Sequence, residues 1–294
     1  MKMGKAEILD TWLDFCRYWR MAHSKNVDEQ ILLWRTAYMG NYPDLLGMQI
    51  ESYERDGLNW TEIAKEIFPL FSSRFPLMQK ARNNILRLCK NVYLKAVKNL
   101  KLDFDVTFVI YVGVGCGAGW ATTYNGKPAV LLGLENIAEE RWHTQRKLKG
   151  LIAHEVGHLA HMSWRGEQQI FEEAEKDPIL QLYTEGFAQR CEHIILEKET
   201  WHMAQDREWL YWCKRHKHWL AKEFLNRIER QEQAKEFFGS WFSIQGKKQT
   251  GYFLGHEFIR ALEKTRGLKE TALLKAREVR KLEMKFLKAL ANKV

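Results

Sequence analysis

The sequence predicts a mainly helical α+β fold with one small mixed β-sheet, and three observations carry that reading. Apolar residues recur at helical spacing through most of the chain, the stretch from about Leu102 to Asn136 turns β-branched and aromatic, and an Asn-Gly pair there separates two short apolar runs. At 294 residues and 46% apolar content the chain can bury a substantial core. The expected organisation is a helical N-terminal region over residues 1–100, then a single α+β unit over 101–294 that ends in basic helices.

Taken in order, Ile8, Trp12, Phe15 and Trp19 lie at i, i+4, i+7 and i+11, one apolar stripe of a helix. Asn59 with Glu62 three residues on reads as a helix start of the capping-box kind. Pro76 opens a helix whose Ala81, Ile85, Leu88, Val92 and Ala96 share a face. Val106 to Val112 reads as a strand, and the runs Trp120 to Tyr124 and Pro128 to Leu132, flanking Asn125-Gly126-Lys127, read as a hairpin. Between them, Gly113-Val-Gly-Cys-Gly-Ala-Gly119 has glycine at every second position. This suits a flexible or closely approached strand connection better than a phosphate loop, because neither a Lys-Ser/Thr ending nor a following helix is present. From Arg146 onward the pattern is helical again, with breaks near Gly166, Asp177-Pro178, Gly239 to Gly251 and Arg266-Gly267.

Several function classes drop out on composition. The chain is 28% charged, and no apolar run approaches the roughly 18 residues of a membrane-spanning helix. The first residues run into a charged helical pattern with no apolar leader, so a cytoplasmic protein is expected. Five scattered cysteines without a Cys-x-x-Cys pair suggest reduced thiols, with neither a disulfide framework nor a thiolate zinc site.

The chemistry concentrates in Ala153-His154-Glu155-Val156-Gly157-His158. On a helix, residues four apart return to within about 40° of each other, so His154 and His158 project side by side and can grip one ion. Glu155 is turned to the flank of that position, where a carboxylate can hold a water. This is the His-Glu-x-x-His pattern of zinc hydrolases. Leu148, Ile152, Val156 and Leu159 give the same helix a core face. A catalytic zinc wants a third protein ligand and an open position. His161 shares the stripe but stands about 10.5 Å of helix rise from His154, too far to complete the set, and reads as a pocket residue, a support for a ligand, or a surface histidine.

Downstream, Pro178 can open a helix on which Glu185 and Glu192, seven apart, share a face. The segment Glu185-Gly186-Phe187-Ala188, with Glu192 seven residues after the first Glu and His-Glu-x-x-His upstream, resembles the gluzincin clan of metallopeptidases. It resembles in particular the Asn-Glu-Gly-Phe-Ala helix of aminopeptidase N relatives. The stretch from Val106 to Leu262 is also similar to a poorly characterised bacterial family of predicted zinc-dependent proteases, through the strand, the Gly-rich region, the two motifs and Gly251-Tyr-Phe-Leu-Gly255. The resemblance implies a zincin-type active-site helix beside the sheet, one Zn2+ per chain held by His154, His158 and Glu185, and Glu155 as general base. It also implies Tyr252 as oxyanion donor, with His256 one turn later as the fallback, and a peptide or protein as substrate.

Three departures qualify the resemblance. The connection from His158 to Glu185 is longer than in aminopeptidase N relatives. The Gly-x-Met-Glu-Asn strand that captures an amino terminus there is one residue short here, Gly133-Leu134-Glu135-Asn136, which favours an endopeptidase over an aminopeptidase. The carboxylate that orients the first His in thermolysin relatives is replaced by Gln189, which leaves Glu192 to take that part.

A second function class rests on charge. The net charge is +9, and Lys264 to Val294 alone holds ten Lys and Arg against three Glu. Ala272, Val279, Leu282, Phe286 and Leu290 make that end a basic amphipathic helix, and Lys214-Arg215-His216-Lys217-His218-Trp219 adds cations beside aromatics. The alternative is therefore a nucleic-acid-associated protein with a structural or non-catalytic zinc site.

Overall fold

The computed structural model describes residues 4–55, 57–167 and 169–292, and its first element is a strand where the apolar spacing predicts a helix. Ala6–Asp10 (β1) runs parallel to Val106–Tyr111 (β2), from Ala6 opposite Val106 to Asp10 opposite Ile110. The partner lies a hundred residues away, out of reach of any local periodicity, and its ladder outweighs one extra turn of helix. The helix itself starts at Trp12.

The rest of the sheet follows the sequence reading. Trp120–Tyr124 (β3) and Lys127–Gly133 (β4) form an antiparallel hairpin across Asn125 and Gly126, both left-handed at φ 50° and 71°, the geometry that makes Asn-Gly the preferred pair. β4 also pairs in parallel with β2, so the mixed sheet has the order β1-β2-β4-β3 and β3 is an edge. The fold is mainly helical α+β with this one small sheet among the described residues.

The chain divides into two compact units, 1–155 and 156–294. The first holds the sheet with Trp12–Ala22 (α1), Val27–Leu33 (α2), Pro43–Arg55 (α3), Trp60–Ile67 (α4), Phe71–Leu100 (α5) and Leu134–Glu139 (α6), and the division falls within Gln145–Arg165 (α7). α5 begins five residues before Pro76, which sits inside the helix; Phe71 anchors the extra turn against Phe15 and Phe68. Asn59 does cap α4, but onto Thr61, and Glu62 pairs with Lys65, so no capping box forms. Aromatic burial dominates this unit: Phe15, Tyr18, Trp34, Tyr38, Phe68 and Phe71 are all fully buried. At the end of β2 the buried Tyr38 hydroxyl is satisfied, meeting Thr11 Oγ1 at 2.6 Å and accepting from Val112 N at 3.0 Å.

The second unit holds the remainder of α7 with Gln169–Ala174 (α8), Pro178–Leu196 (α9), Trp209–Arg215 (α10), Lys217–Glu229 (α11), Lys235–Phe238 (α12), Thr250–Leu262 (α13), Leu268–Ala272 (α14) and Ala276–Ala291 (α15). α9 opens as the sequence suggests, with Pro178 in its first turn and Asp177 capping Ile179 N at 2.9 Å. Two glycine contacts set the spacing of these helices. A Cβ on Gly186 would stand 2.2 Å from the carbonyl carbon of Gly255, so α9 and α13 touch backbone to backbone. A Cβ on Gly157 would stand 2.7 Å from Cys191 Cβ and 3.0 Å from the Ala188 carbonyl oxygen, so α7 is also drawn close to α9. The basic C-terminal end forms α14 and α15, and α15 buries Val279, Glu283 and Leu287 while Arg280 pairs with Asp177 at 2.7 Å. All five cysteines are free. Among the described residues no helix is long and apolar enough to cross a membrane.

Candidate metal centre

Helix α7 carries His154, Glu155 and His158, and α9 carries Glu185 and Glu192. The contact of Gly157 with Ala188 and Cys191 explains why the two helices can share a site. A larger residue inside the His-Glu-x-x-His segment would push α9 away and Glu185 with it. His158 Nε2 stands 3.4 Å from Glu185 Oε2. Ligand atoms about 2.0–2.1 Å from a tetrahedral ion are themselves about 3.3–3.4 Å apart, so this separation fits two ligands of one zinc. His154, His158 and Glu185 each offer an atom within 4.8 Å of the others.

His154 also belongs to a second group, with Glu192 and His202, whose ligand atoms again lie within 4.8 Å of one another. Two differences separate the groups. Glu192 and His202 already satisfy each other, Nδ1 of His202 donating to Glu192 Oε2 at 2.8 Å, the contact of a carboxylate that orients an imidazole. Their side chains are also sealed off, at 0% and 3% exposure, against 12% for His158 and 19% for Glu185. An open coordination position needs the second kind of surroundings, and of the two groups His154, His158 and Glu185 is the one that includes partly solvent-exposed side chains.

His202 is the residue that sequence reasoning missed. It lies ten residues beyond Glu192, past the end of α9, and no periodicity links the two. Glu192 offers a carboxylate oxygen within 4.8 Å of a ring nitrogen of His154. Gln189 itself turns to His193 and to the Thr200 carbonyl.

Glu155 is 7% exposed, and its carboxylate rests on the backbone of Gly119, where an added Cβ would come within 2.5 Å of Oε1. Tyr252, in the first turn of α13, has its ring 6.5 Å from that of His202 and 6.1 Å from that of Phe238, which puts it in the neighbourhood of the Glu192–His202 pair. His256 and His161 are both buried. His256 packs edge-on against His193 and Trp201, beside a cavity of about 500 Å³ that Arg190, Lys198 and Arg260 also line, and burial pushes its pKa down to about 2. His161 is fully buried, not a surface histidine; it stacks on Phe187 at 4.1 Å with Phe171 and Tyr183 edge-on, and burial holds it neutral. Neither belongs to a ligand group among the described residues.

The Gly-rich connection is held by side chains from outside it. Glu135, fully buried at the start of α6, accepts from Gly115 N at 3.2 Å and from Gly113 N, while Asn136 Oδ1 accepts from Gly117 N at 3.2 Å. Tyr53 Oη donates to the Val114 carbonyl at 2.7 Å from the other side. Burial raises the Glu135 pKa to about 7, and the glycine N–H donors oppose that rise.

No family model matches this chain, and neither a curated protein nor a solved structure does.

Proposed function

We propose that this chain is a zinc-dependent peptidase of gluzincin type, more an endopeptidase than an aminopeptidase. The observation that carries the reading is the 3.4 Å separation of His158 Nε2 and Glu185 Oε2, on two helices that glycine holds in contact and beside a motif that supplies His154 and Glu155. Zinc at this position would supply a Lewis acid and lower the pKa of a water to about 7. Glu155 is then the proton carrier: its carboxylate takes the proton of the attacking water and returns it to the leaving amine. Tyr252, through its hydroxyl, is the donor for the developing oxyanion.

Two features favour cleavage within a chain. Glu135, the carboxylate of the shortened Gly133-Leu134-Glu135-Asn136 segment, is fully buried and engaged with its own glycine loop. Strand β3 is an edge of the sheet among the described residues, and an extended peptide can pair with such an edge, a mode that reads backbone and little sequence. The nucleic-acid alternative has less support, since Lys214 pairs with Glu199 at 3.3 Å, and His216 stacks on Trp212. The test is incubation with an unstructured polypeptide. Internal cleavage that a chelator stops and added zinc restores supports the reading. No cleavage, with polyanion affinity that falls steeply with salt and ignores chelator, supports the alternative.

A further inference from the structure

The glycines at 113, 115, 117 and 119 form a segment whose shape is imposed from both sides. A Cβ on Gly113 would lie 2.6 Å from Gln49 Oε1 and 2.8 Å from Glu135 Oε1, and one on Gly115, whose φ is +91°, would lie 2.5 Å from Ile67 and 2.9 Å from Tyr53 Oη. Gly117 has φ +120° and so also needs glycine. The segment is thus a chain of backbone groups laid over a buried carboxylate, with Ala118 O closing it onto Gly133 N at 3.2 Å. At its end, Gly119 is the residue against which the Glu155 carboxylate rests.

We infer that Glu135 is a positioning residue: by gathering the amides of Gly113 and Gly115 it fixes the Gly113–Gly119 loop, and the loop's last glycine fixes the Glu155 carboxylate. The inference rests on the proposed function in so far as Glu155 is a general base. The Oε2 of Glu135 is buried without a hydrogen-bond partner, so a polar oxygen was taken out of water uncompensated to make this brace. An apolar residue there would leave the glycine N–H groups buried and unpaired. Gly119 has an ordinary φ, so alanine there is conformationally permitted and acts only by occupying the space of Glu155.

The test uses the full chain with Glu135→Ala, its near-isosteric control Glu135→Gln, and Gly119→Ala. Amide exchange over residues 113–119, zinc content, kcat and KM are measured on each. Glu135→Ala should speed exchange across the loop about tenfold or more, while Glu135→Gln, which keeps an acceptor oxygen, should do so less. Both Glu135→Ala and Gly119→Ala should lower kcat by roughly ten- to hundredfold, with KM changed no more than about twofold and zinc retained. Should Glu135→Ala not fold, the Gln variant must still show faster loop exchange than the wild type. Unchanged exchange in the folded variants, or full kcat in Gly119→Ala, overturns the inference. A wild type that neither binds zinc nor cleaves peptide overturns the proposed function instead, and the brace is then judged on exchange alone.

Discussion

His202 donates its Nδ1–H to Glu192 across 2.8 Å, and the two are almost entirely shut off from solvent. Buried carboxylate–imidazole pairs of this kind orient the groups they touch, and His154 is within ligand-atom distance of both. Glu192→Gln and His202→Phe should therefore each weaken zinc binding by about 10–100-fold without abolishing it. Competition with a chromophoric chelator measures this. A loss as deep as that of Glu185→Ala would make His202 a ligand and shift the centre to the buried group.

Replacing Glu155 by Gln keeps the volume and removes the base. The variant should retain zinc while kcat falls by about 10²–10⁴-fold, the usual worth of a positioned general base. Steady-state kinetics beside elemental analysis separates this from loss of metal, and a fully active Glu155→Gln protein contradicts the mechanism.

Gly186 and Gly255 touch through their backbones, so neither a rotamer change nor a flexible side chain can absorb an added methyl. Gly186→Ala or Gly255→Ala should cost about 1–3 kcal/mol or more in urea unfolding. Zinc affinity should fall too, because α9 carries Glu185. A variant with unchanged unfolding midpoint would mean that the helices can part without penalty.

Glu283 is fully buried on α15 with neither carboxylate oxygen hydrogen-bonded, and burial raises its pKa well above the usual carboxylate range. The sign follows from linkage: between the unfolded and folded pKa the native state holds the extra proton, so stability from this group is present at low pH and lost as pH rises. Glu135, with a pKa raised to about 7, adds a slope of the same sign. The difference between wild type and Glu283→Gln isolates the first. Gln should gain on the wild type as pH goes from about 4.5 to 8 in urea titrations, and parallel pH curves would contradict the assignment.

The legible parts of this fold are those whose signal is local. Asn125-Gly126 announces its hairpin because the turn demands two left-handed residues, and Asp177-Pro178 announces α9 because capping and a missing N–H both act within one turn. His154 and His158 are readable as a candidate ligand pair because helical geometry alone aligns them, with Glu155 at the flank. What escapes is non-local. β1 owes its conformation to a strand a hundred residues on, His202 reaches Glu192 from beyond a helix end, and His161 is placed by aromatic neighbours on α8 and α9. The alternating glycines show a close approach but not its partner, since a fully buried Glu135 reads in sequence like any solvated glutamate.

Zinc content addresses the central claim most directly. The purified wild type and Glu185→Ala are loaded with zinc, dialysed and analysed for metal per chain. The expected result is about one zinc per wild-type chain and a sharp loss in the variant. A wild type with no tightly held zinc after loading, or a Glu185→Ala protein that keeps its zinc, would contradict the His154, His158 and Glu185 centre.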